Sequence, residues 1–181
     1  MLLLVFLFLV GGYHGGFGDT SGSKGKNSSD NGNKYKETKS LRNHIENADI
    51  SGNGKAGIKG GHKKDNFLSA VDEVGAKITD TQINSQIDGV EKISYKMPKK
   101  DRQGNLSSEF QSSTKTKTVY DSNKISTDQY IKQGLEAANN AAKNSTTGKL
   151  GHEWSGTDNN GIKWHGYCDD SGNITSFYPE D

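Results

Sequence analysis

The sequence predicts an α+β domain, with N-terminal helices followed by antiparallel sheet and a polar leader in front that does not fold. Three features point there. Apolar residues recur at helical spacing over 67–74 and again over 131–142. Strand-like alternation gathers toward the C-terminus and ends in two stretches joined by turn residues. Strands and helices do not alternate as βαβ units would require, and no internal repeat is visible.

The elements follow in chain order. Residues 1–10, MLLLVFLFLV, are uniformly apolar but too few to span a bilayer as a helix, which takes about 20. The length suits the apolar region of a secretory signal, yet no Lys or Arg precedes it and no A-x-A site follows. It reads as a signal remnant or a fragment of a longer parent protein, without stable membrane insertion. Residues 11–38 are a linker of Gly, Ser, Asn and Lys that cannot bury enough apolar surface to offset its ordering entropy; His14 lies there and receives no role. The folded domain is expected over 39–181. SLRNHIENADI predicts a short helix or turn. DNFLSAVDEVG, at 65–75, puts Phe67, Leu68, Val71 and Val74 on one helical stripe that stops at Gly75. EKISYKMP, at 91–98, alternates with Ile93, Tyr95 and Met97 on one face, and KTKTVY, at 115–120, is a second strand. A helix over 127–143 has Ser126 as N-cap, Gln129 completing a capping box, and Ile125 and Tyr130 placed as a hydrophobic staple. GIKWHGYC and GNITSFYP then form a hairpin through DDSG. Tyr95, Tyr120 and Phe177 are assigned to the core, Trp154 and Trp164 to the packing beneath the hairpin, and His165 to the exposed face.

Composition bounds the function. The chain has 181 residues, enough for one domain and a tail, and only 29% are hydrophobic, with mean hydropathy −0.87. Net charge is +1, so bulk charge does not announce a polyanion. The cations do cluster, at Lys55, Lys59, Lys63 and Lys64, at Lys96, Lys99, Lys100 and Arg102, and at Lys115 and Lys117. Local potential of that kind steers an anionic partner even on a near-neutral protein. The single Cys168 excludes an internal disulfide and a zinc site built on cysteines.

Chemistry concentrates at NHIENADISGNGKAGIKGGH, where His44 and His62 bracket a flexible spacer. Histidine is the side chain best placed to exchange protons near neutral pH. Two imidazoles on opposite sides of one phosphodiester serve as base and acid, one deprotonating a ribose 2′-hydroxyl and the other protonating the departing 5′-oxygen. A lysine or a backbone N–H is then wanted against the phosphoryl oxygens, and no metal is required. The glycines at 52, 54, 57, 60 and 61 permit tight turns and close approach of backbone to a ligand. GNGKAG lacks the Walker spacing, and HEWSG, which begins at His152, fails the H-E-x-x-H zinc pattern because position 156 is Gly.

NHI followed by GGH resembles the paired histidine motifs of the EndoU family, the uridylate-specific endoribonucleases. TKTKTVYD, the helix ISTDQYIKQGLEAA and the terminal GNITSFYP, similar to the family's G-x-[IV]-x-[ST]-x-Y-P, follow in the family's order. The resemblance covers roughly residues 40–181 and implies an EndoU-like nuclease fold. The polar leader and short domain look like the nuclease modules that end large bacterial polymorphic or contact-dependent toxins. The resemblance assigns His44 as acid and His62 as base. It puts a lysine of the 115–120 strand on the phosphoryl charge; Lys115 and Lys117 share a face, and the reading leans to Lys115 while leaving Lys117 open. It places Ser176 against the uracil, Tyr178 against the ribose and base, and Gly61 beside the substrate. Aromatic stacking with edge hydrogen bonds is the usual way single-stranded RNA is read. The implied reaction leaves a 2′,3′-cyclic phosphate and a 5′-hydroxyl, on single-stranded RNA such as a tRNA loop, at uridine or another pyrimidine. Mn²⁺ stimulates some members, so it enters as an optional activator only. A cognate immunity protein plugging the basic cleft, a monomeric state, and secretion or delivery into a target-cell cytoplasm are implied as well. The rival readings are a non-catalytic secreted interaction domain and a metal-dependent nuclease of another class.

Overall fold

The computed structural model describes residues 34–51 and 56–181. The apolar segment 1–10, the linker as far as residue 33 with His14, and Gly52, Gly54 and Lys55 lie outside the described residues. Among the described residues no helix is long and apolar enough to cross a membrane.

The first helix, α1 (Lys39–Glu46), starts where the Thr38 side chain accepts a hydrogen bond from the Leu41 N–H, and it buries Leu41 and Ile45 on one face. Two short strands, β1 (Ala48–Asp49) and β2 (Lys59–Gly60), pair antiparallel across the histidine spacer. α2 (Lys64–Glu73) follows, and Gly75, at φ +66°, turns the chain out of it. Next come β3 (Lys77–Ile83), β4 (Val90–Lys96), the small hairpin β5 (Pro98–Lys100) with β6 (Leu106–Phe110), and β7 (Lys115–Tyr120). β3, β4 and β7 form an antiparallel sheet in that order. Of the stripe foreseen on α2, Phe67 and Val71 bury, with Ala70, against Ile93, Tyr95, Met97 and Val119, while Leu68 and Val74 are partly buried beside them.

The long helix α3 (Thr127–Asn144) begins as expected, with the Gln129 N–H donating to Ser126 Oγ and both staple residues, Ile125 and Tyr130, buried. It covers a second antiparallel sheet made of β8 (Glu153–Thr157), β9 (Lys163–Cys168) and β10 (Ile174–Pro179), in the order β10-β9-β8. Helix and sheet approach closely because two glycines allow it. A Cβ on Gly134 would collide with the Phe177 ring, and one on Gly156 with the Ala137 carbonyl. Tyr130, Trp154, Trp164 and Phe177 fill the space between.

The α+β class holds, with one refinement: the longest helix lies between the two sheets in the chain, so helices and sheets interleave. Six strands have no counterpart in the sequence reading: the short β1 and β2, and β3, β5, β6 and β8. β3 is exposed along its whole length, so it shows no apolar alternation to read. The start of the fold also lies earlier than residue 39. Tyr35 exchanges two hydrogen bonds with the buried Asn139 side chain on α3, and its hydroxyl accepts from the Leu150 N–H.

Candidate active site

The two histidines meet because the end of α1 needs hydrogen-bond donors. The last four carbonyls of a helix have no partner inside it. Here the Asn43 carbonyl accepts from Asn47 N–H, His44 from Gly61 N–H, Ile45 from His62 N–H, and Glu46 from the Asn66 side chain. The GGH loop therefore caps the helix that carries His44. Gly60 and Gly61 are at φ +58° and +65°, and a Cβ on either would strike the α1 terminus, at Asn47 and His44 oxygens or at Ala48. Gly61, expected beside the substrate, is buried with its N–H spent on His44. On its far side the loop locks onto β7, where the Tyr120 N–H donates to the His62 carbonyl at 2.8 Å.

The imidazole centroids of His44 and His62 stand 5.8 Å apart. His62 is 3% exposed and rests on the Tyr130 ring, 6.3 Å away. Its Nδ1 lies 2.8 Å from the Thr118 carbonyl. A carbonyl oxygen only accepts, so Nδ1 carries the proton and Nε2 keeps its lone pair. Nε2 faces the Ser176 hydroxyl at 3.3 Å. Burial, then the Lys117 ammonium and His44, hold the His62 pKa well below the ordinary histidine value. His44 is half-buried; burial and Lys117 lower its pKa, and Asp49 partly opposes them.

Lys117 is the cation of this cluster. Burial brings its pKa down to about 8. Lys115, two residues back on the same face, packs by Gly57, and a Cβ there would lie 3.3 Å from Lys115 Cγ. Lys117 is the ammonium whose charge lowers both histidines.

Ser176 and Tyr178 share the outer face of β10, which runs beside this cluster. Tyr178 has its pKa pushed up to about 12, by burial first and then by a hydrogen bond with Tyr167. It stays a neutral phenol. A cavity of about 240 Å³ opens next to it, bounded by Asn84, Val90, Lys92, Thr118, Pro179 and Glu180 among others. His165, expected on an exposed face, is half-buried, with its ring 5.5 Å from Tyr178 and Nε2 2.8 Å from Glu153.

The sequence reading missed Thr118 and Asn84. Thr118 acts through its carbonyl, which no side-chain pattern reveals. Asn84 is 6% exposed. Its Oδ1 accepts from the Gln86 and Ile87 N–H groups, and its Nδ2 donates to the Glu180 carbonyl and Asp181 Oδ1. It ties the β3–β4 loop to the segment just after Tyr178, across the two sheets. Asn84→Asp keeps both acceptor bonds and replaces the donor with a carboxylate facing Asp181. The expected result is a several-fold rise in KM with a thermal midpoint above that of Asn84→Ala, read by steady-state kinetics and thermal melts.

The model of the bacterial EndoU nuclease family matches residues 38–181. The tRNA nuclease CdiA of Yersinia mollaretii is 32% identical over 126 residues, which is 69% of this chain. The chain spans only 4% of the length of that relative. On the family match, which takes in both sheets and all three helices, the chain belongs to the bacterial EndoU nucleases.

Proposed function

We propose that this domain is an endoribonuclease that cuts single-stranded RNA, with tRNA as its target, 3′ to uridine or another pyrimidine. We infer further that it is the nuclease module of a bacterial toxin, acting as a monomer in the cytoplasm of a target cell and neutralised by a cognate immunity protein. The observation that carries this reading is the convergence of His44, His62 and Lys117, with His62 in the tautomer that exposes Nε2. The relative's name as a tRNA nuclease supports the substrate.

His62 Nε2 takes the proton of the 2′-hydroxyl. The freed O2′ attacks phosphorus, and the bond from phosphorus to O5′ breaks. His44 gives its proton to O5′, leaving a 2′,3′-cyclic phosphate and a 5′-hydroxyl. Lys117 sits against the non-bridging oxygens, where charge grows. The base occupies the cavity beside Tyr178, and Ser176 and Tyr178 fix the nucleoside. Water does not enter as nucleophile, and we propose no metal; Mn²⁺ would act on the RNA fold or on binding. The resting site is matched to an anion, since both imidazoles are destabilised as cations by burial and by Lys117. An arriving phosphodiester reverses that Coulomb term, and His44 then holds the proton it must donate.

End-group analysis of first-turnover products in EDTA tests the mechanism. Cyclic phosphate and 5′-hydroxyl ends are expected. A 5′-phosphate, or loss of cleavage in EDTA, overturns it in favour of a metal-dependent hydrolysis.

A further inference from the structure

We infer that the RNA flanking the cut runs out along the β4–β5 ribbon, with its phosphates on Lys92, Lys96, Lys100 and Arg102; this rests on the ribonuclease reading above. The near-neutral total hides two oppositely charged halves. Residues 77–120, which hold the first sheet, carry eight Lys and Arg against five Asp and Glu; residues 149–181, which hold the second, carry two against six. A polyanion crossing the active site is drawn to one side and repelled from the other.

The register shows where it goes. Lys92 and Ser94 lie opposite Thr118 and Thr116 of β7, so Lys92, Ser94, Lys96, Thr116 and Thr118 share one face of the first sheet. The other face holds Ile93, Tyr95 and Val119 beneath α2, together with Lys115 and Lys117, so the RNA strand leaving the cut crosses the free edge of β7 to reach the Lys92 face. The polar face begins at the cavity by Tyr178, which Lys92 and Thr118 both line, and continues away from it without an apolar side chain. β4 passes almost directly into β5 and the hairpin tip, which carries Lys100 and Arg102. From Lys92 to Arg102 the extended chain reaches about 33 Å at ~3.3 Å per residue.

These cations are uncompensated, unlike their neighbours. Lys64 is paired with Glu91 at 2.7 Å and Lys99 with Glu109 at 2.7 Å. Asp101, between Lys100 and Arg102, spends its carboxylate on the hairpin's own Gln103 and Asn105 N–H groups. Lys92, Lys96, Lys100 and Arg102 have no ion pair among the described residues. Lys77 stands directly opposite Lys96 in the β3–β4 register, a like-charge placement that costs stability in the free protein. Lys77 relieves part of it by leaning over the Phe110 ring, 5.9 Å away. A phosphate between strands would relieve the rest. Glu91, Glu180 and Asp181 line the cavity where the path begins, with Glu91 paired to Lys64 and Asp181 accepting from Asn84; beyond it Asp80 lies on the outermost strand, held by Gln82, which keeps the path over β4.

The test compares two substrates. Lys96→Glu, Lys100→Glu and Arg102→Glu are combined in one chain, whose thermal midpoint should be no lower than the parent's, because none of the three sits in the core and Lys96→Glu removes the like charge opposite Lys77. For a tRNA, KM should rise about tenfold or more, and the slope of log KM against log salt should flatten by about 2, near 0.7 per lost contact. For the dinucleoside monophosphate UpA, kcat/KM should stay within twofold. Unchanged KM and salt slope on tRNA, with UpA still cut, overturn the path and leave the ribonuclease reading intact. Equal losses on tRNA and UpA also overturn it, since the charges would then act at the centre itself. Failure of the parent to cut either RNA overturns the ribonuclease reading instead.

Discussion

Replacing His62 by alanine lowers RNA cleavage by about 10³–10⁴-fold, the span that a positioned general base supplies. The size follows from how completely the site depends on that ring. The Thr118 carbonyl fixes its tautomer, Ser176 touches Nε2, the nitrogen proposed as base, and the Tyr130 ring lies beside it. In the proposed mechanism His44, 5.8 Å away, is the acid and Lys117 the charge, so neither stands in for the base. His62 is buried, so alanine also opens a cavity and loses a hydrogen bond. His62→Gln separates the two effects. Its amide can still donate to Thr118, while it has no nitrogen that takes a proton. A folded glutamine variant, checked by circular dichroism, should be as inactive as alanine. If it cleaves within tenfold of the parent, His62 is not the base. A 2′-deoxy residue at the cut should abolish product with the parent enzyme, since the atom that His62 activates is gone.

The elements that could be foreseen share one property, a local signal. The cap at Ser126 and the staple Ile125–Tyr130 are written within five residues, and α3 starts where they say. The α2 stripe and the inward face Ile93, Tyr95 and Met97 are plain periodicity, and they form one core. The histidine pair was legible as chemistry, and the family motif named its partners. What was hidden depends on long-range contact. Nothing near Lys115 or Lys117 in the sequence says which is desolvated, because their strand neighbours alternate identically; the difference comes from groups packed on the strand from elsewhere in the chain, Gly57 beside Lys115 among them. β8 and β9 meet residue for residue from Glu153–Tyr167 to Thr157–Lys163, yet β8 alternates too weakly in apolarity to be read alone. His165 is half-buried because Glu153, from that unforeseen strand, lies across from its neighbour Tyr167.

Replacing Lys117 by alanine costs about 10²–10³-fold in kcat/KM, while Lys115→Ala stays within a fewfold. Lys117 is the charge that both imidazoles feel, so its removal has a second signature in the pH profile. kcat/KM reports the free enzyme. In the parent it should rise as His62 loses its proton, at a pH well below the ordinary histidine value of about 6.5. It should fall once His44 is deprotonated, which also occurs below that value but less far. A second downward break should come near pH 8, where Lys117 becomes neutral. Lowered pKa values in both histidines thus give a mildly acidic optimum for kcat/KM. Bound phosphate raises His44, so the kcat optimum lies higher. In Lys117→Ala the first two limbs move up, because a nearby positive charge no longer opposes protonation, and the break near 8 disappears. Lys117→Arg keeps the charge at all accessible pH, so it should recover part of the activity and lose only that last break. A profile whose limbs do not shift in Lys117→Ala would place the ammonium outside the site, and equal losses from Lys115→Ala would return the phosphoryl contact to that residue. The two lysines are a strand step apart with the same chemistry. Burial lowers the pKa of Lys117 beside two rings that its charge destabilises, and this is why the proposed phosphoryl contact falls to Lys117.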